Sequence, residues 1–379
     1  MGPLTGIKVI ELAGIGPGPF CGMMLADMGA EVIRVDRTGG RSSRGRDVLT
    51  RGRKSIAVDL KSESGKEVIL KLCESSHALF EGFRPGVTER LGLGPEDCMA
   101  RNPKLVYGRM TGWGQEGPMS QAAGHDINYI SLAGALHAIG PKGGKPVPPL
   151  NLVGDFGGGG MVLAFGLVCA ILEAQNSNKG QVVDTAMVDG TAILMAMFFS
   201  MAASGVMTHD RGSNMLDGGA HFYDTYETSD GKFISIGSIE PQFYALLLEK
   251  AGLDPDEFSA QMDQSRWPEY KDKMTRVFKS KTRDEWCEIM EGSDVCFAPV
   301  LSLEEVADHP HNQARNAFIE LDNVLQPAPA PRFSRTEVGL SHGPRIAGED
   351  TAAVLADAGY DESEIESLVA SGAVSSVPG

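Results

Sequence analysis

The sequence predicts an α/β protein: a large Rossmann-like domain with a parallel sheet, then a smaller α+β domain. Three observations lead there. Short apolar runs alternate with helical segments in the first part of the chain, the spacing of βαβ units. The second half switches to a hairpin signal followed by helices. The length, 379 residues, suffices for two domains and a large buried core.

Ile7–Leu12 is a short apolar run that reads as a buried strand, followed by a Gly/Pro turn and a helix through Met23–Met28. Glu31–Asp36 and Ser55–Leu60 read as the next strands. Ser62 or Ser64 caps a helix running to about Glu74, with Val68, Ile69 and Leu72 on its inner face. Ala78–Phe83 and Leu105–Met110 are further strands. Helices are expected over Ile127–Ile139 and Met161–Leu172. The longest uncharged apolar run, Thr191–Thr208, is diluted by small residues and sits at the lower limit for a membrane span, so it reads as a buried core helix. Phe222–Tyr226 and Lys232–Gly237 flank the turn signal Ser229-Asp230-Gly231. Helical patterns follow at 241–251, 267–279 and 283–291. A Pro-, Ser- and Gly-rich stretch, 319–347, suits a return linker before helical spacing resumes over Thr351–Ala370. The expected division is a large domain 1–185, a linker helix 186–221, a small domain 222–318, and a return segment 319–379 that packs on the large domain.

Composition narrows the function classes. A net charge of −16 argues against non-specific nucleic-acid binding. Six scattered cysteines without a CxxC read as reduced thiols. The first residues carry no signal-peptide pattern, the last are no peroxisomal address, and no membrane association is expected, so the expected setting is the cytosol.

Two clusters suggest anion binding. Gly14-Ile15-Gly16-Pro17-Gly18-Pro19 follows a strand, and Asp36 ends the next strand, where a dinucleotide fold places its ribose acid. The third glycine of that fingerprint is replaced by Pro19, and Pro17 and Pro19 lack N–H groups for a pyrophosphate. A rigid turn shaping a neighbouring pocket fits better. Between 37 and 54 lie Arg37, Arg41, Arg44, Arg46, Arg51, Arg53 and Lys54 against a single acid, Asp47. This is a solvated loop or a phosphate site, and arginine favours phosphate. Arg84 and Arg90, after the strand end at Gly82-Phe83, extend the same wall.

The chemistry centres on two segments. In Gly124-His125-Asp126-Ile127-Asn128-Tyr129, Asp126 is a good N-cap for the helix that follows, and the helix N-terminus offers free N–H groups to an enolate oxygen. One such donor is worth roughly 3 kcal/mol in a transition state. Gly154-Asp155-Phe156 precedes four glycines, Gly157–Gly160. Asp155 reads as an N-cap or as a proton carrier. The glycines, each about 1 kcal/mol worse than alanine in a helix, imply something bulky against the backbone, and leave room for a thioester. Glu240, before Pro241 at a helix start, either caps that helix or orients and charges a histidine. His309-Pro310-His311, the only close histidine pair, reads as a turn, and no metal-ligand spacing occurs.

These segments, with Leu4–Leu12, Arg84–Gly92, Thr111-Gly112-Trp113-Gly114-Gln115-Glu116-Gly117-Pro118, Gly180–Asp184 and Gly237–Tyr244, resemble the class III coenzyme A transferase superfamily nearly end to end. Within it the chain is similar to the α-methylacyl-CoA racemases of bacterial, mycobacterial type. The resemblance implies that His125 and Asp155 are acid/base residues on opposite faces of Cα, that Glu240 pairs with His125, and that the Asp126 N–H holds the thioester oxygen. It places coenzyme A around Arg37, Val58, Asp59, Leu60, Lys61, Gly82, Phe83, Arg84, Arg90, Gly124, Ile127, Asn128 and Tyr129. It also implies an interlocked homodimer with the site between subunits, Glu240 coming from the other chain, an acyl-CoA substrate, and no metal or organic cofactor.

Two rivals stand beside the racemase. A transferase of the same fold uses an aspartate at position 155 as nucleophile, so Asp155 alone does not decide. His125 and Glu240 favour proton transfer. A non-catalytic CoA-binding protein would not need the three carriers. The Met-rich stretch Met187–Met207 lines a permissive acyl surface or is simply core.

Overall fold

The structure is a computed structural model that describes residues 2–39 and 47–377. The chain divides into two compact units. The first comprises 1–133, 150–194 and 314–379, and the second 134–149 and 195–313.

The first unit is built on β1 (Lys8–Leu12), β2 (Glu31–Asp36), β3 (Lys54–Val58), β4 (Ala78–Glu81), β5 (Val106–Thr111) and β6 (Val182–Ala186), interleaved with α1 (Pro17–Asp27), α2 (Glu63–Glu74), α3 (Val87–Arg90), α4 (Pro95–Arg101) and α5 (Asp126–Leu132). The strands are parallel, in the order β3-β2-β1-β4-β5-β6. Both faces of the sheet are covered, which is why the strands read as continuous apolar runs rather than alternating ones. Ile10, Ile33 and Ile56 pack on one side with Val68, Ile69 and Leu72 of α2. Val9, Val32 and Val106 pack on the other with Leu25 of α1. Ser62 caps α2, its Oγ accepting the Gly65 N–H at 3.0 Å.

Three sequence expectations change here. The helix expected over Ile127–Ile139 ends at Leu132, and a separate turn of helix, α6 (Ala135–Ala138), starts after Gly134, whose φ of 85° breaks the run. The helix expected from Met161 instead begins at Leu152. It is wound wide, with π-type bonding, over Leu152–Met161 and continues as α7 (Val162–Ser177). Its length and hydropathy would suffice to cross a membrane, yet Leu163 and Leu167 are buried against the sheet. The run Thr191–Thr208 is no buried core helix. It is split between α8 (Met187–Leu194) and α9 (Ala196–Ala203), and α9 buries no residue in this chain.

The second unit carries the antiparallel β7 (Tyr223–Glu227), β8 (Phe233–Gly237) and β9 (Phe297–Val300). α10 (Pro241–Ala251), α11 (Trp267–Phe278) and α12 (Arg283–Met290) enclose a core rich in aromatics, including Phe222, Phe258, Trp267, Tyr270, Phe278 and Trp286. His309-Pro310-His311 does not form a turn but enters a short helix, α13 (Pro310–Ala314), and His309 Nε2 lies 2.7 Å from Glu291.

From Ala314 the chain belongs again to the first unit. The expected linker contains a hairpin, β10 (Phe318–Leu321) with β11 (Val324–Pro327). Arg51 anchors it, donating to Gln326 Oε1 at 2.9 Å and to the Pro327 carbonyl at 2.7 Å. α14 (Thr351–Asp357), α15 (Glu362–Ala370) and β12 (Val374–Ser375) follow, and β12 pairs antiparallel with the outer edge of β3.

Candidate active site

β1 and β4 are neighbours in the sheet although two strands separate them in sequence. The strand order reverses there, and the loops leaving their carboxyl ends diverge. Such a switch point leaves a crevice at the carboxyl edge. A cleft of about 530 Å³ opens at this place within the first unit, lined by Gly14–Gly18 after β1, Gly82–Pro85 after β4, and Met110–Trp113 at the end of β5. The Gly/Pro turn is thus a pocket wall, as its proline content suggests. Asp36 is occupied within the protein, accepting from Arg34 Nε at 2.8 Å and Ser55 Oγ at 2.6 Å.

His125 and Asp155 both line this cleft. His125, not Asp126, is the N-cap of α5, and its backbone N–H donates to Asn128 Oδ1 at 3.0 Å. The imidazole is not used for capping and is exposed in the cleft. Tyr129 is buried one turn on, its ring edge-on to Trp113 at 4.8 Å between centroids.

Asp155 is not a cap before a glycine run. It lies in the first turn of the wide helix. Its Oδ2 accepts from Asn151 Nδ2 at 3.1 Å, and its backbone N–H donates to Asp126 Oδ2 at 2.7 Å. Burial raises the Asp155 carboxyl above its ordinary value; the Asn151 bond opposes this, the Asp126 charge adds to it, and His125 pulls it back. Asp126 itself is 6% exposed, and its Oδ1 has no partner among the described residues.

The glycines after Asp155 do not make room for a ligand. A Cβ on Gly158 would lie 2.6 Å from the Thr191 nitrogen, on Gly159 2.9 Å from Pro17 Cβ, and on Gly160 2.7 Å from the Pro17 carbonyl. The bulk against this backbone is the protein's own α8 and α1. Close helix packing, not substrate, demands the glycines.

Of the other expected residues, Gly82, Phe83, Arg84, Gly124 and Tyr129 line the cleft. Arg37, Val58, Asp59, Leu60, Lys61, Arg90, Ile127 and Asn128 do not. Arg37 and the 58–61 segment follow β2 and β3 at the same carboxyl edge, with Val58 and Leu60 directed into the apolar core and Arg37 and Lys61 exposed. Asn128 serves the His125 backbone instead.

Among the described residues of the basic segment, Arg51, Arg53 and Lys54 are occupied by internal ion pairs. Arg51 pairs with Asp27 at 2.6 Å, and Arg53 pairs with Glu11. All four side chains are essentially inaccessible. Lys54 pairs with Glu31 at 2.9 Å. These cations neutralise acids of α1, β1 and β2. Arg41, Arg44 and Arg46 lie outside the described residues. Glu240 is the N-cap of α10 by backbone position, but its side chain makes no capping bond and is exposed. It belongs to the second unit.

Residues 4–351 match the model of CoA-transferase family III. The chain belongs to CoA-transferase family III. Among its relatives in the family, mouse α-methylacyl-CoA racemase is 48% identical over 96% of each chain, and the human racemase 46% identical over the same shares. A solved CaiB/BaiF family protein from Brucella suis superposes with a TM-score of 0.81 at 26% identity, over 94% of this chain and 99% of that one. The expected α/β fold with a large parallel sheet agrees with this family structure.

Four features of the site in this CoA-transferase III chain escaped the sequence reading. Asn151 stands four residues before Asp155, a helical spacing hidden while the helix was expected to start at Met161. Gly16 has φ 67°, and a Cβ there would lie 2.8 Å from Asp155 Oδ2. Trp113 lies within the 111–118 motif, but nothing in the sequence marks it as a cleft wall. The buried carboxylate of Asp126 left no signal beyond its capping propensity.

Proposed function

We propose that this protein racemises 2-methylacyl-CoA thioesters by moving a proton from one face of Cα and returning one to the other. The observation that carries this reading is the presence of His125 and Asp155 in one cleft, the first with an exposed imidazole that caps no helix, the second a carboxyl held above its ordinary value. The names of the mouse and human relatives support the same substrate class.

One group removes the α-hydrogen while the other stands protonated. A thioester makes that hydrogen far more acidic than a carboxylate does, because its enolate avoids a second charged oxygen. The Asp126 N–H, in the first turn of α5, meets the enolate oxygen. Positioned proton transfer contributes ~10²–10⁴-fold. Protons balance between the two side chains and the substrate, so the cycle calls for no metal or organic cofactor. The CoA handle runs along the carboxyl edge of the sheet, past Arg84 in the cleft and towards Arg37, Lys61 and Arg90.

Glu240 pairs with His125 in this reading, from the second chain of an interlocked homodimer. Its exposed, non-capping side chain supports that role. So do the large apolar side chains this chain leaves exposed, including Phe165 and Leu172 on α7, and Phe199 on α9.

Exchange of the α-hydrogen in deuterated water tests the proposal. Exchange into a 2-methylacyl-CoA is expected with no carboxylate acceptor added. Exchange only when an acceptor is present, or trapping of an Asp155 hydroxamate with hydroxylamine, would overturn it in favour of a transferase.

A further inference from the structure

We infer that Arg109, held between Glu81 and Glu89, is a positioning residue that sets the 82–86 loop and α3 for the CoA handle of the substrate. The inference rests on the CoA-thioester reading above.

β4 ends at Glu81, and the chain then forms the cleft wall Gly82–Pro85. The Glu81 carboxylate turns back and accepts the Phe83 N–H at 2.6 Å, fixing the start of the loop. Arg109 is the register partner of Glu81 on β5, and its Nε lies 3.5 Å from Glu81 Oε1. The other end of the guanidinium donates to the Glu89 carboxylate and, at 3.5 Å, to Thr88 Oγ1. Thr88 and Glu89 belong to α3, where the loop ends and from which Arg90 projects. One side chain therefore spans both ends of the segment that carries Phe83, Arg84 and Arg90, through an ion-pair contact at Glu81 and hydrogen bonds at α3. Tyr107, two residues earlier on the same face of β5, donates to the Leu93 carbonyl at 2.9 Å and holds the chain just beyond α3.

The charges are costly here. Glu81 is 3% exposed, and burial lifts its carboxyl to about 7 although the Phe83 N–H and Arg109 both pull it down. Apolar side chains of similar size would pack such a site at least as stably. Their placement beside the cleft fits a demand for fixed geometry, and a guanidinium with several directed donors meets that demand.

The test compares two substrates with the same acyl group, one a CoA thioester and one an N-acetylcysteamine thioester that lacks the nucleotide handle. In Arg109→Met and in Glu89→Gln, kcat/KM for the CoA thioester is expected to fall about tenfold, the size of one charge-assisted hydrogen bond, and mainly through KM. The short thioester is expected to react as with the unmodified protein. Equal losses with both substrates would mean a merely structural role and overturn the inference. Glu89→Gln, at an exposed carboxylate, decides the matter if Arg109→Met does not fold. Arg84→Ala serves as reference. If it lowers the preference for the CoA thioester and the other two variants do not, the role of Arg109 is overturned alone. If Arg84→Ala leaves the preference intact, the placement of the handle fails, and this inference with it.

Discussion

The buried carboxylate of Asp126 accepts a 2.7 Å hydrogen bond from the backbone N–H of Asp155. It joins the first turn of α5 to the first turn of the wide helix, and so ties together the backbones that carry His125 and Asp155. A Cβ on Gly154 would lie 2.5 Å from the same oxygen, so the approach depends on glycine there. Asp126 does not itself line the cleft; its side chain sets the spacing of His125 and Asp155, which do.

Asp126→Ala is expected to cost about 1–3 kcal/mol of stability, the range for leaving a buried N–H without its partner. Racemisation should fall more steeply, by about 10²-fold, because a displacement near 1 Å is enough for that. Asp126→Asn retains an acceptor and should recover most of both. Urea unfolding and α-hydrogen exchange measure the two effects separately.

Gly16→Ala sets a methyl 2.8 Å from Asp155 Oδ2 at a residue with φ 67°. Gly6→Ala is the matched control, with φ 89° and open space around its Cβ position. Both should lose about 1–3 kcal/mol through backbone strain. Only Gly16→Ala should also lose turnover, by at least about tenfold, since it displaces Asp155, the proposed proton carrier. Equal activity in the two variants would refute the contact.

Asn151→Ala removes a donor that favours the charged form of Asp155, so the Asp155 carboxyl should rise further above its ordinary value. In the direction of reaction where Asp155 accepts the proton, the acid limb of the kcat/KM profile should move to higher pH. An unmoved limb would exclude Asp155 as that base.

Glu81 gives a pH dependence of stability. Its folded value, about 7, lies above the ordinary 4.5, so the native state holds the proton more tightly over that interval. The stabilising contribution is complete below about 4.5 and is lost as pH rises through about 7. Relative to Glu81→Gln, the unmodified protein should lose stability between about pH 4.5 and 7, with little further change above. Urea unfolding midpoints of the two proteins across this range check the sign.

Much of the fold is legible in the sequence because its causes are local. Buried strands carry clustered β-branched and apolar residues, and β1, with Val9, Ile10 and Leu12, and β2, with Val32, Ile33 and Val35, are recognisable on that ground. Ser62 and Pro241 mark helix starts through their own backbone preferences. His125 and Asp155 stood out through residue type and motif, and the structure brings them to one cleft.

Other features depend on partners distant in sequence. Arg51 and Arg53 read as an anion site until Asp27 and Glu11, 24 and 42 residues away, claim them. Gly157–Gly160 read as room for a ligand until α1 and α8 fill the space. Asp126 reads as a cap until its oxygen meets an N–H 29 residues further on. Sequence alone determined the parallel α/β class and singled out His125 and Asp155 as candidate proton carriers, because hydrophobic period and side-chain chemistry are properties of each segment by itself. Only the tertiary structure decided which charges are neutralised inside, which glycines serve packing, and what holds the carriers in place, because contact between remote segments leaves no periodic trace in either one.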